Sequence, residues 1–329
     1  MKPFNVFITR LIPDPGLHLL KKDKRFKVRV NTLNHPLTHQ ELIRNFKGKD
    51  GVICLLSDKI DKKIINASPA LKIIANYAVG YDNIDIGHAT CRGILITNTP
   101  GVLTEATAEL TWALILAIAR RITEGERFLR AGKFTYTNWS PTLLLGTDIR
   151  DKTIGIIGAG RIGQSVARKA IGFQMKILYT GRKAKTDFEK ETGARRVSLS
   201  RLLKQSDFVC LHIPGTSQTY HLIGMKELQM MKHTAFLINA SRGVVIDENA
   251  LVKALSNKII AGAALDVYEK EPSVHPGLLK LNNVVLMPHL GSATVETRNK
   301  MSLIAATNLI AGLTGNRPPN LINPDIFRP

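Results

Sequence analysis

Short apolar runs rich in β-branched residues alternate with longer segments of helical pattern along almost the whole chain, and this alternation constrains the fold more than any other feature. It predicts strand, crossover helix and parallel strand, repeated. Two series are visible. The first runs through Asn5 to Thr9, Phe26 to Val30, Gly51 to Leu56, Lys72 to Asn76 and Ile94 to Thr97, with charged segments such as Thr38 to Phe46 as helices between them. The second runs through Thr153 to Ile157, Lys176 to Thr180, Phe208 to Leu211, Ala235 to Asn239, Ile260 to Leu265 and Val284 to Leu286. Continuous apolar runs of this kind suit strands buried on both faces, so five or six strands each imply two doubly wound, parallel-sheet α/β domains. A length of 329 residues agrees, at roughly 150 residues per domain.

Between the series, Val102 to Arg121 is helical in pattern and reads as a linking helix, followed by a second helix from Glu124 to Gly132. After the last strand, Thr294 to Leu313 forms a long helix with no third strand series to join, so it is expected to cross back to the first domain. A Pro-rich tail follows Gly315. The longest clearly apolar helical stretch, Trp112 to Ala119, falls short of the roughly 20 residues a bilayer span needs. No secretory core precedes Arg10, and the three cysteines, Cys54, Cys91 and Cys210, are widely spaced and outside any CxxC pattern. A cytoplasmic protein without membrane contact, disulfide framework or metal site is expected. The formal net charge of +20 would gather phosphates and carboxylates around the molecule and says nothing about its fold.

Strand TIGII leads into Gly158-Ala159-Gly160-Arg161-Ile162-Gly163, with a helix opening at Ile162. Gly158 permits the tight turn, Gly160 lets backbone approach a pyrophosphate, and Gly163 lets helix and strand pack closely, the pattern of a dinucleotide-binding loop. At the end of the next strand, about 20 residues on, an acid would receive the ribose 2′-hydroxyl of NAD. Here the strand runs instead into Gly181-Arg182-Lys183. A guanidinium and an ammonium suit a 2′-phosphate, so NADP is favoured and NAD stays open as a second coenzyme. A solvated basic turn is the plainer account of the same pair.

Three further segments stand at or after strand ends, where open parallel sheets place their ligand crevice: Asn239-Ala240-Ser241-Arg242-Gly243, Asp266-Val267-Tyr268-Glu269-Lys270-Glu271-Pro272, and Pro288-His289-Leu290-Gly291. Between them they offer what reduction of a 2-oxo acid requires. An arginine can fork onto the substrate carboxylate, a histidine can pass a proton to the carbonyl oxygen, and a carboxylate can hold the imidazole. Each residue alone has a structural account; their shared sheet edge makes the trio informative.

The ordered set GAGRIG, NASRG, DVYEKEP and PHLGSAT resembles the D-2-hydroxyacid dehydrogenase family over nearly the whole chain. YTGRK, LLSDK, TAELTWALIL and RNKMSLIAATNLIAGLTG are most similar to its glyoxylate/hydroxypyruvate reductase branch. The resemblance implies a Rossmann coenzyme domain, residues 104–290, inserted into a flavodoxin-like discontinuous substrate domain, residues 1–103 and 291–329. It also implies a homodimer with much of its contact from the coenzyme domain and linking helices. By position it makes Arg242 the substrate-binding arginine, Glu271 the partner of the histidine and His289 the proton donor. Glu269 is expected to be solvated. Asp266 falls at a supporting position on the coenzyme side. The backbone amides of Val79 and Gly80, in the Asn76 to Asp82 loop, are to meet the substrate carboxylate, and Leu55, Leu56 and Ser57 line the same pocket. Thr104 and Ala108 are assigned to the nicotinamide end or, equally, to helix packing. Trp139 either reaches the partner subunit's pocket or anchors the dimer.

The function expected on this basis is NADPH-dependent reduction of short 2-oxo acids, glyoxylate and hydroxypyruvate, to D-2-hydroxy acids, with domain closure excluding water. Two alternatives stay open: a 2-ketogluconate reductase of the same family, and a dinucleotide-sensing protein resembling corepressors. Against the second, no DNA- or RNA-binding module is recognisable and the basic residues are scattered, so no specific nucleic-acid partner is expected.

Overall fold

The computed structural model describes residues 2–33 and 35–327; Met1, Asn34 and the end of the Pro-rich tail at Arg328 and Pro329 lie outside the described residues. The chain divides into two compact units, Met1–Leu103 with Ser292–Pro329, and Thr104–Gly291.

The first unit is built on a sheet of five parallel strands, β1 (Phe4–Ile8), β2 (Phe26–Val30), β3 (Gly51–Cys54), β4 (Ile73–Asn76) and β5 (Leu95–Thr97), in the order β2-β1-β3-β4-β5. Alternate side chains divide between its two faces. Val6, Ile8, Ile53 and Ile73 pack with helices Asp14–Lys22 and Val295–Leu313, whereas Phe7, Val52, Cys54 and Ile74 pack with His39–Phe46, Lys62–Asn66 and Ile86–Cys91. Thr38 starts His39–Phe46 through a capping box with Glu41, which satisfies backbone N–H groups the first turn would otherwise leave open. The long terminal helix does return to this sheet, and Ser302 on it accepts the Gly16 N–H at 3.1 Å. The tail closes the β5 edge: Ile322 donates to Ile96 O at 2.8 Å and Asn323 Oδ1 accepts the Ile96 N–H at 2.9 Å.

The second unit carries seven parallel strands, β6 (Thr153–Ile157), β7 (Lys176–Thr180), β8 (Arg195–Arg196), β9 (Phe208–Leu211), β10 (Phe236–Asn239), β11 (Gly262–Leu265) and β12 (Val284–Leu286), in the order β12-β11-β10-β9-β6-β7-β8. This exceeds the expected five or six. The added strand, β8, is two exposed arginines aligned with Leu178 and Tyr179, so it carries no apolar signal to read. Strand order reverses between β6 and β9, the switch point at which doubly wound sheets bind dinucleotides.

Helix Thr104–Ala119, expected as a connector, is part of this unit's core. Ala108, Leu114 and Ile115 are buried against the same sheet face as Ile154, Ile156 and Phe236. Trp112 stacks on Phe173 at 4.5 Å between ring centroids and donates its indole N–H to Val166 O at 3.0 Å. A helix apolar on nearly all sides is one that its domain encloses.

Candidate active site

Strand β6 ends at Ile157 and Gly158 turns the chain with φ near +100°, a conformation open to glycine and strained for other residues. Gly160 caps helix Arg161–Gly172, and a side chain at Gly163 would run into the Gly158 carbonyl. Arg161 is exposed at the helix start and Ile162 packs on the core. Free backbone N–H groups at a helix N-terminus, reached by a glycine turn at the switch point, fit the pyrophosphate of a dinucleotide.

The turn after β7 is held from both sides. Arg196 donates to Gly181 O at 2.9 Å and Arg182 O at 3.1 Å, while the Lys185 N–H donates to Tyr179 Oη at 2.9 Å. Arg182 and Lys183 project from it exposed, beside an open cleft of about 730 Å³ lined in part by Thr180, Ala184, Arg195 and Arg196. Sequence reasoning missed Arg196, because nothing in a two-residue strand marks one arginine as a brace for another's backbone.

Because all seven strands are parallel, the segments after β10, β11 and β12 emerge at the same edge of the sheet. After β10, Asn239 builds the turn that carries Arg242: its Oδ1 accepts from Ser241 N at 3.0 Å and Ser241 Oγ at 2.8 Å, and its Nδ2 donates to Arg242 O at 3.0 Å. Arg242 Nη1 donates to Ser241 O at 2.7 Å. A side chain at Gly243 would overlap the Tyr268 carbonyl, so the arginine turn lies directly on the loop after β11.

That loop delivers Glu271 to His289, with Glu271 Oε2 at 2.7 Å from His289 Nδ1. The second oxygen, Oε1, accepts the Tyr268 N–H at 3.0 Å, and the Tyr268 hydroxyl donates to Met287 O at 2.9 Å. His289 stands in a left-handed backbone conformation, φ near +56°, uncommon for a residue with a side chain. Asp266 holds it there. The Asp266 carboxylate accepts the N–H groups of Leu290 at 2.6 Å and Gly291 at 2.8 Å, and its carbonyl accepts the His289 N–H at 2.9 Å. Burial pushes the Asp266 carboxyl upward and these N–H groups pull the other way. With its oxygens engaged, Asp266 supports the histidine turn. The side chains of His289 and Glu271 stay about one-third exposed, 34% and 33%, so a small ligand can reach the pair.

Glu269 differs from expectation. Its side chain is only 16% exposed, its Oε1 lies 3.1 Å from His221 Nε2, and its N–H donates to Glu248 Oε1 at 2.8 Å. The close packing of Gly243 against Tyr268 and Glu269 draws this stretch inward, where it needs partners. Ala108 is fully buried in the helical core and Thr104 half-buried at the helix start. Trp139 is 65% exposed.

In the first unit, Leu55, half-buried, and Ser57, exposed, follow β3, while Val79 and Gly80, both half-buried, follow β4. They too stand at the C-terminal edge of their sheet. The second unit thus brings Arg242, Glu271 and His289 to one edge, with Gly158, Gly160 and Gly163 at its switch point, and the first unit carries Leu55, Ser57, Val79 and Gly80 at its own.

A family model described as the D-isomer specific 2-hydroxyacid dehydrogenase NAD binding domain matches residues 112–291. The glyoxylate reductase of Thermococcus litoralis is 51% identical over 329 residues, covering 99% of this chain and 98% of that one. The chain belongs to the D-2-hydroxyacid dehydrogenase family. Within that family it falls with the glyoxylate reductases and is an NAD(P)-dependent dehydrogenase. Among solved structures, a protein of Thermus thermophilus matches with a TM-score of 0.91 and 41% identity over 97% of this chain and 100% of that one. The NADPH-dependent glyoxylate/hydroxypyruvate reductase of Sinorhizobium meliloti, in complex with NADP and malonate, matches with a TM-score of 0.85 and 32% identity over 98% and 97%. A dehydrogenase of this family uses a nicotinamide dinucleotide, and the glycine turn described above fits one.

Proposed function

We propose that this dehydrogenase reduces glyoxylate and hydroxypyruvate to their 2-hydroxy acids with NADPH. The observation that carries the reading is the 2.7 Å contact of Glu271 with His289 Nδ1, which commits that nitrogen to the carboxylate and leaves Nε2 to deliver a proton. When bound, the dinucleotide supplies a hydride to the carbonyl carbon. His289 gives the proton to the carbonyl oxygen, so that the carbonyl π bond is replaced by a new C–H and a new O–H bond while the C–O single bond remains. Glu271 orients the imidazole and offsets the positive charge of its protonated form. Arg242 pairs with the substrate carboxylate, a charge-assisted contact that an uncharged aldehyde would not make. In the first unit, Leu55, Ser57 and the amides of Val79 and Gly80 are assigned to substrate binding by the family resemblance. Gly158, Gly160, Arg161, Ile162 and Gly163 hold the pyrophosphate, and Arg182 and Lys183 meet the 2′-phosphate.

The family resemblance supports a homodimer, and the exposed apolar residues Leu129, Phe134, Tyr136 and Trp139 supply a surface for it. The free thiols Cys54, Cys91 and Cys210 suit a reducing cytoplasm. Among the described residues, no helix is long and apolar enough to cross a membrane.

The test follows loss of reduced-coenzyme absorbance with glyoxylate, hydroxypyruvate and 2-ketogluconate, each with NADPH and NADH. Turnover of the two short acids with NADPH is expected. Exclusive turnover of 2-ketogluconate would reassign the substrate, and absence of turnover with every acid would overturn the reading. Arg242→Ala should raise KM for glyoxylate and lower kcat, and a variant with normal KM would remove Arg242 from the carboxylate.

A further inference from the structure

Three successive carbonyls in the loop after β4 are each held by a donor. Ala78 O accepts from the Thr99 N–H at 2.9 Å, Val79 O from Asn98 Nδ2 at 2.8 Å, and Gly80 O from Asn76 Nδ2 at 2.8 Å. In a trans peptide the carbonyl of one residue and the N–H of the next point in opposite directions. Fixing these three carbonyls therefore fixes the N–H groups of Val79, Gly80 and Tyr81, each turned away from the donor on its own peptide plane. A loop free to rotate about φ and ψ would lose ordering entropy on meeting an anion, and this one has lost it beforehand.

Asn76, through Asn83, also ties the loop to the segment after β3. Asn83 Nδ2 donates to Leu55 O at 3.0 Å and Asp58 O at 3.1 Å, and Asn83 Oδ1 accepts from Asn76 Nδ2 at 3.1 Å. Asp58, 3% exposed, accepts from Leu55 N at 2.8 Å and Thr9 Oγ1 at 2.5 Å. Asn98 is braced in turn, since its carbonyl accepts Asn308 Nδ2 at 3.0 Å from the terminal helix. Two strand-end segments are thereby joined through asparagine amides whose NH₂ groups only an amide side chain of this reach provides.

We infer that Asn98 is a positioning residue that pre-orients the Gly80 amide, beside the Val79 amide fixed by Thr99, for a carboxylate, while Asn76 and Asn83 hold the following peptide, so that substrate affinity depends on side chains that do not touch substrate. This rests on the carboxylate role given to those amides above. Asn98 is the residue to change, because it is half-buried and acts on one carbonyl. Asn98→Asp removes the donor and sets a carboxylate against the Val79 carbonyl; Asn98→Ala removes the donor alone.

Both variants should raise KM for glyoxylate by about tenfold or more and change kcat by less than about threefold, as expected when ground-state and transition-state binding are lost together. Affinity for NADPH, measured by fluorescence titration, should not change. Oxalate binding to the coenzyme-loaded protein, measured by calorimetry, should weaken in parallel with KM. Ser68→Ala provides the structural control: Ser68 is buried in the same unit and bonds Lys49 O at 2.8 Å, so its loss should lower stability and leave KM unchanged. A folded Asn98→Asp protein with KM and oxalate affinity within about twofold of wild type overturns the inference. So does a KM rise that Ser68→Ala reproduces. If wild type fails to reduce glyoxylate, the proposed substrate falls, and oxalate binding still decides whether Asn98 prepares an anion site.

Discussion

His289 and Glu271 form a pair, and in the proposed reaction its two members are expected to contribute different amounts to the barrier. His289→Ala removes the proposed proton donor, and turnover should fall by about 10² to 10⁴ while NADPH binding is retained. Glu271→Gln keeps an oxygen that can accept from Nδ1 but removes the charge opposite the imidazolium, so kcat should fall by about 10 to 10². Steady-state rates with saturating NADPH check both, and an unchanged kcat in His289→Ala would remove the histidine from the reaction. His212 tests burial instead of catalysis. Both its ring nitrogens are buried without hydrogen-bond partners among the described residues, and burial lowers its pKa from 6.5 to about 4. Between those values the unfolded chain binds a proton that the folded chain refuses, so this residue's contribution to stability declines as pH falls from about 6.5 to about 4. His212→Phe replaces the unpaired nitrogens with carbon. It should be as stable as wild type at neutral pH to within about 1 kcal/mol and more stable by about 2 kcal/mol near pH 4.5. Urea unfolding at the two pH values decides, and a difference that does not grow with acidity would show the imidazole is not held neutral by the fold.

The turn after β7 shows which elements a sequence discloses. The strands Thr153–Ile157 and Lys176–Thr180 were legible because each is a largely apolar run, and Gly158 to Gly163 because glycine is demanded by conformation and close packing. Arg182 was read as a phosphate contact from its place after the strand. Its brace was not legible: Arg196 belongs to a two-residue strand of exposed charges, and only pairing with Tyr179 brings its guanidinium to the carbonyls of Gly181 and Arg182. Glu269 was expected to be solvated, and its enclosure was hidden for the same reason, since it follows from the contact of Gly243 with a loop distant in sequence. The candidate trio Arg242, Glu271 and His289 was picked out as chemistry at strand ends, whereas the 2.7 Å approach of Glu271 to His289 required the strand order. The brace makes a prediction about coenzyme choice. Arg182→Ala should lower the ratio of kcat/KM with NADPH to that with NADH by about tenfold or more, through loss of a charge-assisted phosphate contact. Arg196→Met should lower the same ratio by a smaller factor, with NADH kinetics nearly unchanged, because the turn loses its anchor and Arg182 its direction. Equal losses with both coenzymes would mean that Arg196 serves only folding.

At the scale of the whole molecule, charge and apolar surface oppose each other in assembly. Each copy carries a formal +20, so two copies repel overall, and apolar area is expected to supply the attraction in the proposed dimer. The segment after helix Thr104–Ala119 offers that area: Leu129, Phe134, Tyr136 and Trp139 are all more than half exposed, at 62%, 58%, 103% and 65%. Apolar side chains this concentrated on one stretch of a basic chain are costly in water unless covered. Light scattering should give twice the 36.3 kDa chain mass, and Phe134→Asp with Trp139→Asp should give the single chain mass with the fold intact by circular dichroism. Salt separates this account from one based on ion pairs. Raising ionic strength from about 0.05 to 0.5 M screens the repulsion and leaves apolar burial in place, so the dimer should tighten. Weakening with salt would place complementary charges at the interface, and a monomer at all concentrations up to tens of micromolar would remove the dimer altogether.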